Sequence, residues 1–208
     1  MFCKDSRQEN MLTQFGVAWR YTNNVRYEQL TANWEQANFG RESATVEAVI
    51  LEYAARTESG SSAPAPILRK TATGYDVLDG VQRLSSEKLL GTTDFSAYVV
   101  DTDSELVALK IRVFANHLLA GHPEPSEWNR KTAIQKLIIE GGMSIDEVAR
   151  LGGWNRKSIE EEKLCMDIGF AVRCAGGPVS MAKCVLLKMA KYMKLDDFVV
   201  APKNIFCH

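Results

Sequence analysis

Two short stretches carry side chains of the right type and spacing for chemistry. The first is Asp79-Gly80-Val81-Gln82-Arg83, placed between a strand-like run and a helix-like run. A glycine there lets backbone approach a ligand, and the amides that follow open a helix whose N-terminus attracts anions. Arg83 falls in the first turn, where a guanidinium can clamp an oxyanion beside those amides. A phosphate is the natural guest, although a plain strand-to-helix connection has the same pattern and is commoner. The second stretch is Asn155-Arg156-Lys157-Ser158. These types hydrogen-bond base edges and phosphates when they stand at the start of a helix.

That second stretch sits in a local frame read from Met143 to Ile159. Ser144 and Glu147 form a capping box that starts one helix firmly. Val148 and Ala149 face inward, Gly152-Gly153 supplies a tight turn, and Ile159 anchors the next helix. This is a helix-turn-helix pattern, with Arg130 and Lys131 upstream as further cations for a phosphate backbone. The plain alternative is two packed helices with a solvated, charged start. Glu160, Glu161 and Glu162 weigh on that side, because carboxylates one turn into a recognition helix repel phosphate unless they face away.

The elements that must position these residues follow from periodicity. Residues 1–23 show no clear period and read as an N-terminal arm. Asn24 to Leu30 alternates like a short strand, and Ser43 opens a helix striped by Val46, Val49, Ile50, Tyr53 and Ala54. The Gly60 to Pro66 stretch breaks it. A hairpin is expected from Ile67–Lys70 and Tyr75–Leu78, then a helix over Val81–Leu90, then a strand over Phe95–Val100 in the same sheet. From Ser104 the pattern is helical, with helices over Glu105–Leu119, Ser126–Ile139, Ser144–Leu151, Asn155 to about Val172, and Val179–Leu195. In the last, Met181, Val185, Met189, Tyr192 and Met193 line one side, as a packed amphipathic helix or a partner-binding face.

The run Ile67-Leu68-Arg69-Lys70, followed by Gly74-Tyr75-Asp76-Val77-Leu78-Asp79-Gly80-Val81-Gln82-Arg83-Leu84 and then Gly91, resembles the core of ParB-like domains. Asn38 to Arg41 resembles the family's upstream N-x-R box, and Asn116 matches the asparagine of a second box. The resemblance covers about residues 24–165. It implies an α+β fold, a small ParB/sulfiredoxin-like α/β domain followed by an all-helical helix-turn-helix domain. It also implies a nucleotide site made by Arg41, Gly80, Val81, Gln82, Arg83 and Asn116, with CTP and Mg²⁺ as the ligands. Val81-Gln82 departs from the usual phosphate box, and Ala115-Asn116-His117-Leu118-Leu119 lacks the glutamate and arginine of the second box, which argues against hydrolysis. Position 81 is valine, so the sulfiredoxin cysteine chemistry is excluded at this motif.

The expected domains are an arm over 1–23, a ParB-like domain over 24–103, a helical domain over 104–175, and a C-terminal amphipathic helix and tail over 176–208. Composition sets the outer bounds. The chain has 208 residues, 46% apolar and 25% charged, enough to bury a core without staples. Its net charge is −1 and its pI about 6.3, so nucleic-acid binding must come from a local patch. Five cysteines without C-x-x-C spacing and three histidines without a paired motif give no metal pattern and suit free thiols in a reducing compartment. No signal-peptide pattern or run of membrane-spanning length occurs, so a cytoplasmic location and no membrane partner are expected. No Ser/His/Asp order or carboxylate pair suggests a catalytic centre.

Three readings result. The first is a ParB-like protein that binds double-stranded DNA, for partition or transcription regulation, gated by a nucleotide and acting as a homodimer. The second is a nuclease or nucleotide-hydrolysing enzyme on the same fold, with Asp79 and Glu87 the carboxylates near Arg83. The third is a protein-interaction module with a retired helix-turn-helix.

Overall fold

The computed structural model describes residues 2–36, 43–118, 134–174 and 185–187, without the side chains of 36, 43–46, 116–118 and 170–174. The chain divides into two compact units, between residues 132 and 133. No helix among the described residues is long and apolar enough to cross a membrane.

The first unit is α+β, as expected. In chain order it contains β1 (Phe2–Cys3), α1 (Ser6–Gln14), β2 (Ala18–Arg26), α2 (Ser43–Glu58), β3 (Ala63–Pro64), β4 (Ile67–Lys70), β5 (Tyr75–Asp79), α3 (Val81–Leu89), β6 (Asp94–Asp101) and α4 (Glu105–Leu118). Single 3-10 turns occupy Tyr27–Gln29 and Trp34–Gln36. The main sheet has the order β2-β6-β4-β5, with β4 and β6 parallel and the two outer pairs antiparallel. The β4–β5 hairpin turns where the residues suggested: Lys70 pairs with Tyr75, and Thr71 N–H donates to Gly74 C=O at 2.9 Å. Ile67, Leu68, Leu84, Ala97, Tyr98, Val100, Ile111 and Phe114 are fully shut from water and make the core.

Residues 2–26 are not a loose arm. Asp5 caps α1 by accepting the Arg7 N–H at 2.8 Å, and Met11 and Leu12 bury the inner face of that helix. Tyr98, from β6, ties the segment down. Its hydroxyl accepts the Asp5 N–H at 2.8 Å and donates to Glu9 Oε1 at 3.0 Å. Burial pushes that phenol well above its ordinary pKa, so it stays a neutral donor. The first strand of the sheet is accordingly Ala18–Arg26 rather than Asn24–Leu30. Its register against β6 shifts between Thr22 and Val25, where Asn23 and Asn24 fall.

Helix α4 belongs to this first unit, so the division falls about thirty residues later than the boundary expected at 103, where the sequence pattern turns helical. It packs on β5, and Phe114 meets Phe15 of the α1 end with ring centroids 5.8 Å apart.

In the second unit, residues 134–139 are helical, followed by α5 (Ile145–Gly152) and α6 (Arg156–Cys174). Ile134, Leu137, Met143, Val148 and Ile159 are its buried apolar residues, and Cys165, Ile168 and Leu186 form a further buried cluster. Of the C-terminal helix expected over Val179–Leu195, residues 185–187 are helical and the remainder lies outside the described residues.

Candidate functional site

The Asp79–Arg83 junction is built around Gly80, which takes a left-handed conformation at φ 99°. A Cβ there would stand 2.8 Å from Pro66 Cβ, so both the backbone angle and the space require glycine. The turn delivers the chain from β5 straight into α3, and Leu84 N–H closes the first helical bond on Gly80 C=O at 2.9 Å. The first-turn amides of α3 have no carbonyl within the helix to bond, which is the feature an anion would use.

Arg83, expected to clamp an oxyanion beside these amides, is engaged inside the unit. Its side chain is 2% exposed and points into the unit. Nη2 donates to Asp79 Oδ2 at 2.5 Å, while Nη1 donates to the carbonyls of Pro64 and Ala65. Gln8 of α1 donates to the same Ala65 carbonyl at 3.0 Å. The physical reason lies in the turn. It brings the Asp79 carboxylate within reach of the Arg83 guanidinium, and a buried cation is held only where charge and carbonyl oxygens surround it. Arg83 thereby stitches β5, α3 and the segment entering β4.

Val81 and Gln82 are also buried, each at 7% exposure. Glu87, one turn further along α3, is buried and accepts the Thr92 hydroxyl at 3.1 Å. Asp79 and Glu87 are thus both in use inside the unit. Among the described residues no three His, Cys, Asp or Glu side chains gather where a metal ion would be held. Arg41, Arg130 and Lys131 lie outside the described residues. Asn116 falls within α4, but its side chain is likewise outside them.

The second locus is the connection between α5 and α6. Ser144 Oγ accepts the Glu147 N–H at 3.2 Å and caps α5. The helix ends on Gly152 and Gly153, which have separate jobs. Gly153 adopts φ 62° in open space. Gly152 carries the indole of Trp154, since a Cβ at 152 would lie 2.5 Å from Trp154 Cε3. Trp154 N–H returns to Ala149 C=O at 3.1 Å, fixing the turn.

The four residues beyond the turn divide in role. Asn155 is the cap of α6: its side-chain oxygen accepts the Lys157 N–H at 2.9 Å and the Ser158 N–H at 3.4 Å. Its position was legible, but its oxygen is committed to the backbone. Arg156 is exposed and bonded on two sides, Nη1 to Asp146 at 2.7 Å and Nε to Glu160 at 2.8 Å. The Glu160 hydrogen bond and then the Asp146 charge raise its pKa further. Lys157 is exposed with no side-chain ion pair among the described residues, and Ser158 is half-buried. The glutamate run resolves into three environments: Glu160 pairs with Arg156, Glu161 is half-buried, and Glu162 is 4% exposed.

No protein-family model matches the chain, and no curated protein matches it. Several solved structures do resemble it. One is the C-terminally truncated chromosome-partitioning protein ParB from Caulobacter crescentus complexed to the centromeric parS site. It is 11% identical over 85% of this chain and 96% of that one, with a TM-score of 0.47. The truncated ParB of the same organism complexed with CTP-gamma-S is 14% identical over 76% and 86%, with a TM-score of 0.33. A Pnob8-like ParB-N domain is 18% identical over 69% of this chain and 52% of that one, with a TM-score of 0.43. These are loose superpositions at low identity, and each is a likeness in arrangement only.

Proposed function

We propose that the chain is a DNA-binding protein of ParB-like type whose second unit contacts double-stranded DNA through the start of α6. The observation that supports this reading best is the first turn of α6. It presents Arg156 and Lys157 to solvent, is capped by Asn155, and is set against α5 by the Gly152–Trp154 contact. A capped helix start with an exposed arginine and lysine suits a duplex groove and its phosphates. Arg130 and Lys131 are proposed as added backbone contacts. One short helix start covers few base pairs, so a homodimer is part of the proposal. Partition or transcription regulation is the process class that the resemblance implies, in the cytoplasm.

The test is the anisotropy of a labelled random-sequence duplex against protein concentration at rising salt. A steep fall of affinity with salt and a weaker Lys157→Ala variant are expected; each lost phosphate contact lowers the log–log slope by about 0.9. A specific observation favours the protein-interaction reading as the alternative: Arg156 is paired with two carboxylates, and Lys157 is the cation of this turn without an ion pair among the described residues. A salt-insensitive or absent response would favour it.

Nucleotide gating is the finer part of the proposal, with CTP and Mg²⁺ as the ligands to try. Gly80, Val81 and Gln82 would meet the phosphates through backbone amides, and Arg41 and Asn116 would complete the pocket. Arg83 would have to exchange Asp79 for phosphate, because Nη1 and Nη2 are both engaged inside the unit. Labelled nucleotides with and without Mg²⁺ test this, Gly80→Ala being the variant expected to lose binding. The enzyme reading has the least support, since both nearby carboxylates serve internal bonds.

A further inference from the structure

We infer that Asp146 and Glu160 compete with nucleic-acid phosphate for Arg156, so that two carboxylates of the second unit set how strongly the α6 start binds DNA. The inference rests on the DNA-binding reading above and gives Glu160 of the glutamate run, together with Asp146, a regulating role.

The two carboxylates reach Arg156 from different elements. Asp146 stands in the first turn of α5, and Glu160 one turn into α6. Glu160 accepts a charge-assisted hydrogen bond from Nε at 2.8 Å, and Asp146 makes an ion pair with Nη1 at 2.7 Å. The three side chains are 61%, 69% and 45% exposed, so an incoming duplex can reach all of them. Lys157, the adjacent residue, has no such partner among the described residues. A phosphate that approaches Arg156 must therefore stand beside two carboxylates, and reaches Nη1 and Nε unshared only by displacing them. The arginine, as folded, is a closed local charge set with a net negative balance.

Exposed pairs of this kind are individually weak, which is what makes them displaceable rather than structural. Removing them should free one cation and remove two repulsive charges. The pairing effect is separable from simple repulsion by a mutant cycle. If the carboxylates act through Arg156, their removal matters only while Arg156 is present.

The experiment measures binding of a labelled random-sequence duplex at several salt concentrations to the 208-residue chain. The variants are Asp146→Asn, Glu160→Gln, the pair together, and each of these in an Arg156→Ala background. Glu140→Gln, an exposed acid outside the cluster, is the charge control. The expected result is a gain of about tenfold at low salt for the double variant, with the salt slope steeper by about 0.9. That gain should disappear in the Arg156→Ala background. A gain that persists without Arg156, or that Glu140→Gln matches, would show plain charge removal and overturn the inference. If the wild type binds and the double variant binds no better, the inference also falls while the DNA-binding reading stands. If neither binds, both fall together. Melting curves for every variant keep a folding defect from passing as a binding result.

Discussion

The guanidinium of Arg83 meets the carboxylate of Asp79 at 2.5 Å across the Gly80 turn, with the two side chains 2% and 4% exposed. A pair this deep is worth little against an apolar substitute, but losing one member strands a buried charge. Asp79→Ala is therefore expected to cost about 3–5 kcal/mol in urea unfolding, and Arg83→Ala a comparable amount. Replacing both by apolar residues of similar volume should cost much less than the two single changes added. Additive losses would mean that the two side chains act independently, contrary to the geometry.

Gly152 and Gly153 are neighbours with opposite constraints. Gly152→Ala places a methyl against the Trp154 ring, an overpacking that costs about 1–3 kcal/mol. Trp154→Leu should relieve it, so the double variant is expected to be more stable than the sum of the single effects. Gly153→Ala meets no atom and is penalised only for its left-handed backbone, by about 1 kcal/mol, which Trp154→Leu leaves unchanged. Thermal melts of the five variants separate the two cases; rescue of both glycine changes by Trp154→Leu would contradict this assignment.

The legible parts of the fold are those whose cues are local. The β4–β5 hairpin, α3 and α5 each carry their turn residue or cap within a few positions, and each forms where expected. Residues 2–26 were hidden because what holds them is remote: the Asp5 amide and Glu9 find their partner in Tyr98, some ninety positions along. Asp5 followed by Gln8, Met11 and Leu12 at helical spacing was the available sign. In β2 the Asn23-Asn24 irregularity masked the alternation. At the Gly80 junction the motif showed that an arginine opens the helix. Its inward aim depends on the Pro64–Ala65 carbonyls, which no spacing along the chain discloses. Asn155 was visible as a candidate base contact, whereas its equally visible role as a cap is the one the geometry uses.

Asn155 thus has a stability role that can be told apart from a DNA role. Asn155→Ala should cost about 1 kcal/mol through loss of the cap on α6, while Asn155→Asp keeps an acceptor there and should be near neutral. If the α6 start lies against phosphate, the aspartate variant will keep its melting temperature yet bind a duplex more weakly. Equal DNA binding by the wild type and Asn155→Asp would remove this position from the interface.

Acid stability should report on Asp76. Burial raises its pKa, but hydrogen bonds from Arg69 and Thr31 and the nearby positive charge outweigh that, leaving the carboxyl below its ordinary value of 3.8. Arg69 holds it at 2.8 Å and reaches Glu105 of α4 at 2.6 Å with its other nitrogen. Because the folded pKa is the lower one, the unfolded chain takes up the proton first as pH falls. The contribution is therefore complete above the ordinary value and is lost as pH drops through it towards the depressed folded value. Asp5, held down by Arg7, adds to the same limb. Asp76→Asn should be less stable than wild type near neutrality, and its urea midpoint should fall less steeply on acidification. Parallel curves for the two proteins across the acid range would show that Asp76 carries no such linkage.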